Sequence, residues 1–205
     1  MNIFLTSIWE LDRQWLLAVN GSWGGGWDIF WWTVSQVWCW IPLYVVIIWL
    51  MYQKFGWRRT LVALGVVLVG LALADQTANF FKTHTPKLRP THNPLISDMV
   101  HTVKGYKGGW YGTVSGHAAT SMAIALTSAG IYRNRWFSLA VGVYVALTCF
   151  SRMYLGVHFP LDITFGLLAG TVIGTLMLWI WRLINKKWGP ERRQRFQQGG
   201  HSEPE

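Results

Sequence analysis

The sequence predicts an all-α, polytopic membrane protein: a bundle of about five transmembrane helices behind an N-terminal amphipathic helix. Three observations carry that prediction. Of 205 residues, 52% are hydrophobic and only 13% charged, a balance that suits lipid-facing helices. The 15 tryptophans match proteins that set indole rings in a belt at each membrane interface. Finally, apolar stretches of span length recur along the chain, and about 20 helical residues cross a ~30 Å hydrocarbon core.

Met1 to Asn20 reads as an amphipathic helix lying in the interface, with Ile8, Leu11, Trp15 and Leu16 on one face. An ordinary first helix packed on the domain is the alternative. No cleavable signal peptide is expected, because a basic n-region is lacking and Glu10, Asp12 and Arg13 interrupt the apolar residues. Ser22 to Gly26 (Ser-Trp-Gly-Gly-Gly) breaks the helix. The first span is expected over Asp28 to Tyr52, with a possible kink at Pro42, and the second over Thr60 to Phe81. The third, Ser115 to Tyr132, is rich in Ala, Gly, Ser and Thr, as suits a helix packed tightly among others. The fourth runs from Phe137 to Arg152 and the fifth from Pro160 to Ile184. This divides the chain into an interfacial segment (1–27), a membrane domain (28–184) and a basic tail (185–205), with His201 to Glu205 expected to be disordered.

The net charge of +9 would admit a nucleic-acid partner, so its distribution decides. Lys54, Arg58 and Arg59 follow the first span, Arg133 and Arg135 the third, and Arg182, Lys186, Lys187, Arg192, Arg193 and Arg195 the fifth. By the positive-inside rule these mark the cytoplasmic side, and the basic tail meets an anionic leaflet rather than nucleic acid. The protein is therefore expected to be multi-pass, with its remaining polar stretches on the outer face. Cys39 and Cys149 lie in apolar runs without metal-ligand spacing and read as buried thiols. Thr83 to Val114 is the one long loop, a length that in compact domains usually serves function.

Three polar stretches fall at the outer ends of the spans. The first sets Lys82 and Arg89-Pro90 where two cations can reach one anion if the chain turns between them, with Pro86 and Pro90 favouring rigid backbone. Alternatively, both side chains snorkel into headgroups. The second, Ser115-Gly116-His117, stands where a helix begins, so unpaired N–H groups and the dipole's positive end suit an anion. Ser115 can cap that helix or bond the anion, and His117 can act as an acid or remain an interfacial histidine. In the third, Arg152 offers a donor fork for phosphate oxygens, while His158 and Asp162, four apart, can meet on one helix face. A carboxylate on one imidazole nitrogen leaves the other as nucleophile or base. Asp75 and Asn79 roughly share a face with Lys82, either as helix–helix glue or as groups that orient it. His84, His92 and His101 read as solvated loop residues, and no cluster has metal-ligand spacing, so metal-independent chemistry without a cofactor is expected.

Together, Lys82-x6-Arg89-Pro90, Ser115-Gly116-His117 and Ser151-Arg152-x5-His158-x3-Asp162 resemble the three-part signature of the type-2 phosphatidic acid phosphatase superfamily, across about Asp75 to Leu183. Its second motif usually opens with proline, where this chain has Val114. The resemblance implies a helical core like that of acid phosphatases and vanadium haloperoxidases, and a membrane lipid phosphatase; together with the chain's size, it implies a bacterial inner membrane as the location. It implies that His158 attacks phosphorus to form a phosphohistidine, with Asp162 orienting it and His117 protonating the departing oxygen. Lys82, Arg89 and Arg152 would hold the phosphate with Ser115 and the Gly116 N–H. Family analogy makes undecaprenyl diphosphate the first expectation for the substrate, with phosphatidylglycerol phosphate and lipid A phosphates as competitors. A lipid phosphotransferase and a non-catalytic lipid-phosphate binder or transporter are the alternative functions.

Overall fold

The computed structural model describes residues 3–21 and 23–186, and its order is helical throughout: α1 (Ile3–Val19), α2 (Gly25–Val34), α3 (Ile41–His84), α4 (Gly116–Tyr132), α5 (Arg135–Tyr154) and α6 (Pro160–Lys186). Among the described residues three helical stretches are long and apolar enough to cross a membrane: Val37–His84, Arg135–Tyr154 and Pro160–Lys186. The tail from 187 onward, including the stretch expected to be disordered, lies outside the described residues.

Two expected spans lie within α3. Unbroken, its 44 residues would make a rod about 66 Å long. Gly56 prevents this with φ 74° and ψ 169°, a conformation that glycine adopts without a Cβ clash. The two arms fold back on each other, since Trp40 and Tyr44 line the same cavity as Leu71, Asp75 and Lys82. The first span does not begin at Asp28 as expected: α2 ends at Val34, a 3-10 turn covers Val37–Trp40, and a new helix starts at Ile41. Pro42 sits in its first turn, where a missing N–H leaves no bond unmade, so it starts the helix instead of kinking it.

α4 is the hub. Ten of its 17 residues are buried, and it packs against α3, α5 and α6. Gly166, Gly170 and Gly174 form a stripe along α6 that lets the backbones close up. A Cβ on Gly166 would stand 2.5 Å from the Ser115 carbonyl oxygen, and one on Gly170 would overlap that of Ala119. Side chains such as Leu68 on α3, Leu139 on α5 and Leu168 on α6 are more than half exposed, as lipid-facing residues are. Asn134 caps α5 by accepting from the N–H groups of Trp136 (2.9 Å) and Phe137 (3.1 Å).

α1 packs on the domain through a face that is partly polar. Leu16 is buried, whereas Leu11 and Trp15 are exposed. The buried stripe is Asp12, Leu16 and Asn20, at four-residue spacing. Asn20 donates to the carbonyls of His101 (2.9 Å) and Tyr154 (2.6 Å) and accepts from the His101 N–H (2.8 Å). These polar bonds tie the long loop to α1 and α5.

Candidate active site

The ends of α3, α4 and α5, the long loop and the turn before α6 surround one cavity of about 460 Å³. Lys82, Arg89, Gly116, His117, Arg152 and His158 all line it, so three stretches far apart in sequence meet there. Lys82 comes from the last turn of α3, where its Nζ lies 3.3 Å from Asn79 Oδ1. Asn79 in turn donates to Asp75 (3.0 Å), so these three residues form a row on α3. Arg89 is fixed by carbonyls: its Nε donates to Tyr111 (3.0 Å) and its Nη1 to Val157 (3.4 Å). Burial and then the Arg152 charge push its guanidinium below the ordinary value. Arg152 is 3% exposed, donates to the Tyr106 hydroxyl (3.4 Å), and leaves its buried Nε without a partner. Cations crowded in this way favour an anion among them.

His158 stands in the turn between α5 and α6 and is 1% exposed. Its Nδ1 lies 3.2 Å from the Gly112 carbonyl oxygen, a bond that puts the proton on Nδ1 and leaves the Nε2 lone pair free. Desolvation first, then Arg89, Arg152 and Lys82, hold the imidazole well below its ordinary value, so it stays neutral. Gly112 is forced by space: a Cβ there would lie 2.9 Å from Arg89 Cγ and 3.3 Å from both His158 Nδ1 and Asp162 Oδ2.

Ser115, expected to cap α4 or bond the anion, and Asp162, expected to orient His158, are not among the residues that line the cavity. Ser115 is fully buried; its hydroxyl accepts from the Ala118 N–H (3.4 Å) as the cap of α4, and its N–H donates to the Asp162 carbonyl (2.9 Å). The Asp162 carboxylate lies 3.5 Å from His158 Nδ1, but 2.8 Å from Lys87 Nζ and 3.0 Å from the Phe159 N–H. Lys87 also reaches Asp12 on α1 (3.4 Å), and Asp12 accepts from the Leu161 N–H (2.8 Å). Lys87 thus joins α1 to the start of α6 through two buried carboxylates. Burial holds the Asp12 carboxyl above its usual value, against the Leu161 bond and the Lys87 charge.

Sequence reasoning misses Gly112, Lys87, Asp12 and Tyr106. Lys87 reads only as one more loop cation, and a backbone acceptor such as Gly112 has no side-chain signature. The polar stripe of Asp12 and Asn20 is a signal that could have found α1. His101 is not the solvated residue expected, because its Nε2 lies 3.1 Å from both oxygens of Asp28. His84 stacks on Phe80 and His92 tilts on Trp110, and neither lines the cavity. Among the described residues no three His, Cys, Asp or Glu side chains converge as metal ligands would.

The family model described as the PAP2 superfamily matches residues 60–186. A lipid A 4'-phosphatase of Porphyromonas gingivalis is 32% identical over 182 residues, covering 88% of this chain and 77% of that protein. A lipid A 4'-phosphatase of Bacteroides thetaiotaomicron is 33% identical over 181 residues, covering 87% and 78%. An undecaprenyl-diphosphatase of Bacillus subtilis, BcrC, matches at 31% identity over 83 residues, 40% of this chain and 42% of that one. Among solved structures, Aquifex aeolicus LpxE shares the fold with a TM-score of 0.65 at 22% identity, over 82% of this chain and 94% of that chain. A PAP2-type phosphatidylglycerolphosphate phosphatase from Bacillus subtilis does so with a TM-score of 0.61 at 20% identity, over 91% and 90%.

Proposed function

The chain belongs to the PAP2 superfamily and is a membrane lipid phosphatase, and within that class we propose that it removes a phosphate from lipid A. The observation that carries this reading is its similarity to two lipid A 4'-phosphatases over nearly nine-tenths of its length. The undecaprenyl diphosphate expected from family analogy is less well supported, since the two undecaprenyl-diphosphatases that match do so over 40% and 72% of the chain, at 31% and 29% identity.

The geometry supports a phosphohistidine route. With Nδ1 held by Gly112, the Nε2 lone pair of neutral His158 attacks phosphorus. The P–N bond forms as the P–O ester bond breaks, and His117 gives its proton to the leaving oxygen. Water then attacks the phosphohistidine, His117 takes up its proton, and the P–N bond breaks to release inorganic phosphate and neutral His158. Lys82, Arg89 and Arg152 hold the equatorial oxygens, with the Gly116 N–H at the start of α4. Ser115 supports that N-terminus as its cap, and Asp162 orients the His158 turn through the Phe159 N–H. The basic end at Lys54, Arg58, Arg133 and Arg135 supports a site on the opposite, periplasmic face of an inner membrane.

The test is phosphate release by the detergent-purified protein, with EDTA present, from lipid A, undecaprenyl diphosphate and phosphatidylglycerol phosphate. Lipid A should be turned over fastest, EDTA should not matter, and His158→Ala should lose roughly 10⁴-fold or more in kcat. Faster release from undecaprenyl diphosphate would overturn the substrate, and a fully active His158→Ala variant would overturn the mechanism.

A further inference from the structure

The cavity continues well past the cations. Below His117 it follows Thr120 and Ile124 down α4, and below Arg152 it follows Thr148 and Tyr144 down α5. Eight residues of helix are about 12 Å, so this lower part is deeper than a phosphate group needs. His117, which supplies the proton to the departing oxygen, heads one of these walls. An alcohol that leaves on the His117 side has this shaft beside it.

A shaft for a hydrocarbon chain would be lined by hydrocarbon alone, whereas here polar groups stand among apolar residues such as Val37, Leu71 and Ile124. Thr148 lines it, is 5% exposed, and its hydroxyl has no hydrogen-bond partner. That is unusual in this bundle: the hydroxyls of Thr33, Thr60, Thr120, Ser128, Thr164 and Thr171 each donate to a carbonyl four residues back. A buried hydroxyl without a partner is costly unless something fills its valence. Asp75 also lines the cavity and accepts from Asn79 on one oxygen, so a polyprenyl chain would desolvate its carboxylate without adding a second donor. At the floor the Tyr44 and Tyr144 hydroxyls lie 2.8 Å apart; one donates to the other, and the accepting hydroxyl keeps its own proton for a third group. Trp40, packed edge-on against Tyr144 at 4.7 Å, adds an indole to the same wall. An aromatic face beside convergent donors and acceptors suits a ring that is apolar on its faces and polar at its rim.

We propose that this lower shaft is a subsite for the alcohol that carries the phosphate, built for a hydroxyl- and amide-bearing ring such as a phosphorylated sugar, with Thr148, Asp75 and Tyr44 as its specificity-determining residues. The proposal rests on the reading of the chain as a lipid A phosphatase and deepens it. Discrimination follows because a site that hydrogen-bonds its substrate rejects an analogue that leaves those groups unpaired.

The experiment compares kcat/KM for lipid A with kcat/KM for a polyprenyl diphosphate, in the unmodified protein and in Thr148→Val, Thr148→Ser and Tyr44→Phe. Valine matches the shape of threonine without its hydroxyl, and serine restores the hydroxyl. Thr148→Val should lower the lipid A to polyprenyl ratio by about tenfold, one hydrogen bond's worth, and Thr148→Ser should recover most of it. Tyr44→Phe should lower the ratio in the same direction, and it serves if the Thr148 variants do not fold. Unchanged ratios, or equal losses on both lipids, would overturn the subsite while leaving the phosphatase reading intact, provided the unmodified protein still prefers lipid A. An unmodified protein that prefers the polyprenyl substrate would overturn both.

Discussion

Asp162 is closer to Lys87 than to the histidine it is expected to orient: 2.8 Å to Nζ against 3.5 Å to His158 Nδ1. The acceptor that fixes the His158 ring is the Gly112 carbonyl oxygen at 3.2 Å. Orientation of His158 is therefore divided between a loop carbonyl and a carboxylate that itself needs a cation.

Lys87→Met removes that cation and leaves Asp12 and Asp162 buried without their charge partner. Breaking a buried pair from one side costs about 3–5 kcal/mol. A drop in Tm of the detergent-solubilised protein, together with a kcat lower by roughly 10–100-fold, is the expected result. A variant as stable and as active as the parent would show that Lys87 is only a surface charge.

Asp162→Asn keeps the Gly112–His158 bond and one acceptor for the Phe159 N–H. Its kcat should fall less than that of His158→Ala, by about 10² against roughly 10⁴. Gly112→Ala should cost at least as much as Asp162→Asn, because its methyl group presses on Arg89, His158 and Asp162 together, and small misplacements at a reacting centre cost about 10². Steady-state kinetics on one lipid settles the order of the three, and an inert Gly112→Ala would contradict the crowding described.

The lowered proton affinity of His158 sets a pH dependence. The nucleophile stays neutral through the range where an ordinary histidine, near 6.5, becomes charged. Any acid limb of kcat/KM that reports His158 should therefore lie well below about 6.5. Stability has a definite sign: the unfolded chain takes up a proton below about 6.5 that the folded state refuses. The contribution is fully present above that value and is lost as pH falls, by up to about 1.4 kcal/mol per pH unit until the folded group also protonates. Thermal unfolding from pH 7.5 to 5 should show this slope in the parent and a shallower one in His158→Asn.

Asn20→Ala deletes three buried hydrogen bonds between α1, the long loop and the end of α5. The orphaned His101 and Tyr154 backbone groups should cost about 2–4 kcal/mol in total. Hydrogen exchange should speed up over 93–106 more than in α4. Uniform protection in both proteins would mean that α1 does not hold the loop.

Gly170→Leu drives a side chain into the Ala119 carbonyl and should separate α4 from α6, whereas Gly142→Ala meets nothing within 4 Å. The first should cost about 1–3 kcal/mol or more and the second should be near neutral, as read from Tm.

The sequence makes the helices and the polar residues that line the cavity legible for a plain reason: apolar runs of span length and charged groups at their ends are both local patterns. The helix end at Tyr132 and the start at Pro160 follow directly from them. What it conceals is long-range and backbone-borne. Gly112 contributes a carbonyl, which every residue has. Lys87 finds its partners 75 residues away in each direction. The packed face of α1 is hidden because Asp12 and Asn20 are held by individual hydrogen bonds to distant backbone groups, which no apolar pattern marks. Pro42 is ambiguous for the same reason: only the break at 35–40 decides whether it starts a helix or bends one.

The shortness of α4 bears on how the protein is made. At 17 residues it is about 25 Å long, less than the hydrocarbon thickness, and its Ser, Thr and Gly give lipid little to dissolve. Left alone beside the insertion machinery, it would gain little by entering the bilayer. It settles once α3, α5 and α6 provide walls against which its small residues pack. Because Gly116 and His117 travel on that helix, phosphatase competence should arise late in biogenesis, only after α6 has been synthesised and has closed around its predecessors. A nascent chain stalled before that point would sit in the membrane without hydrolysing anything.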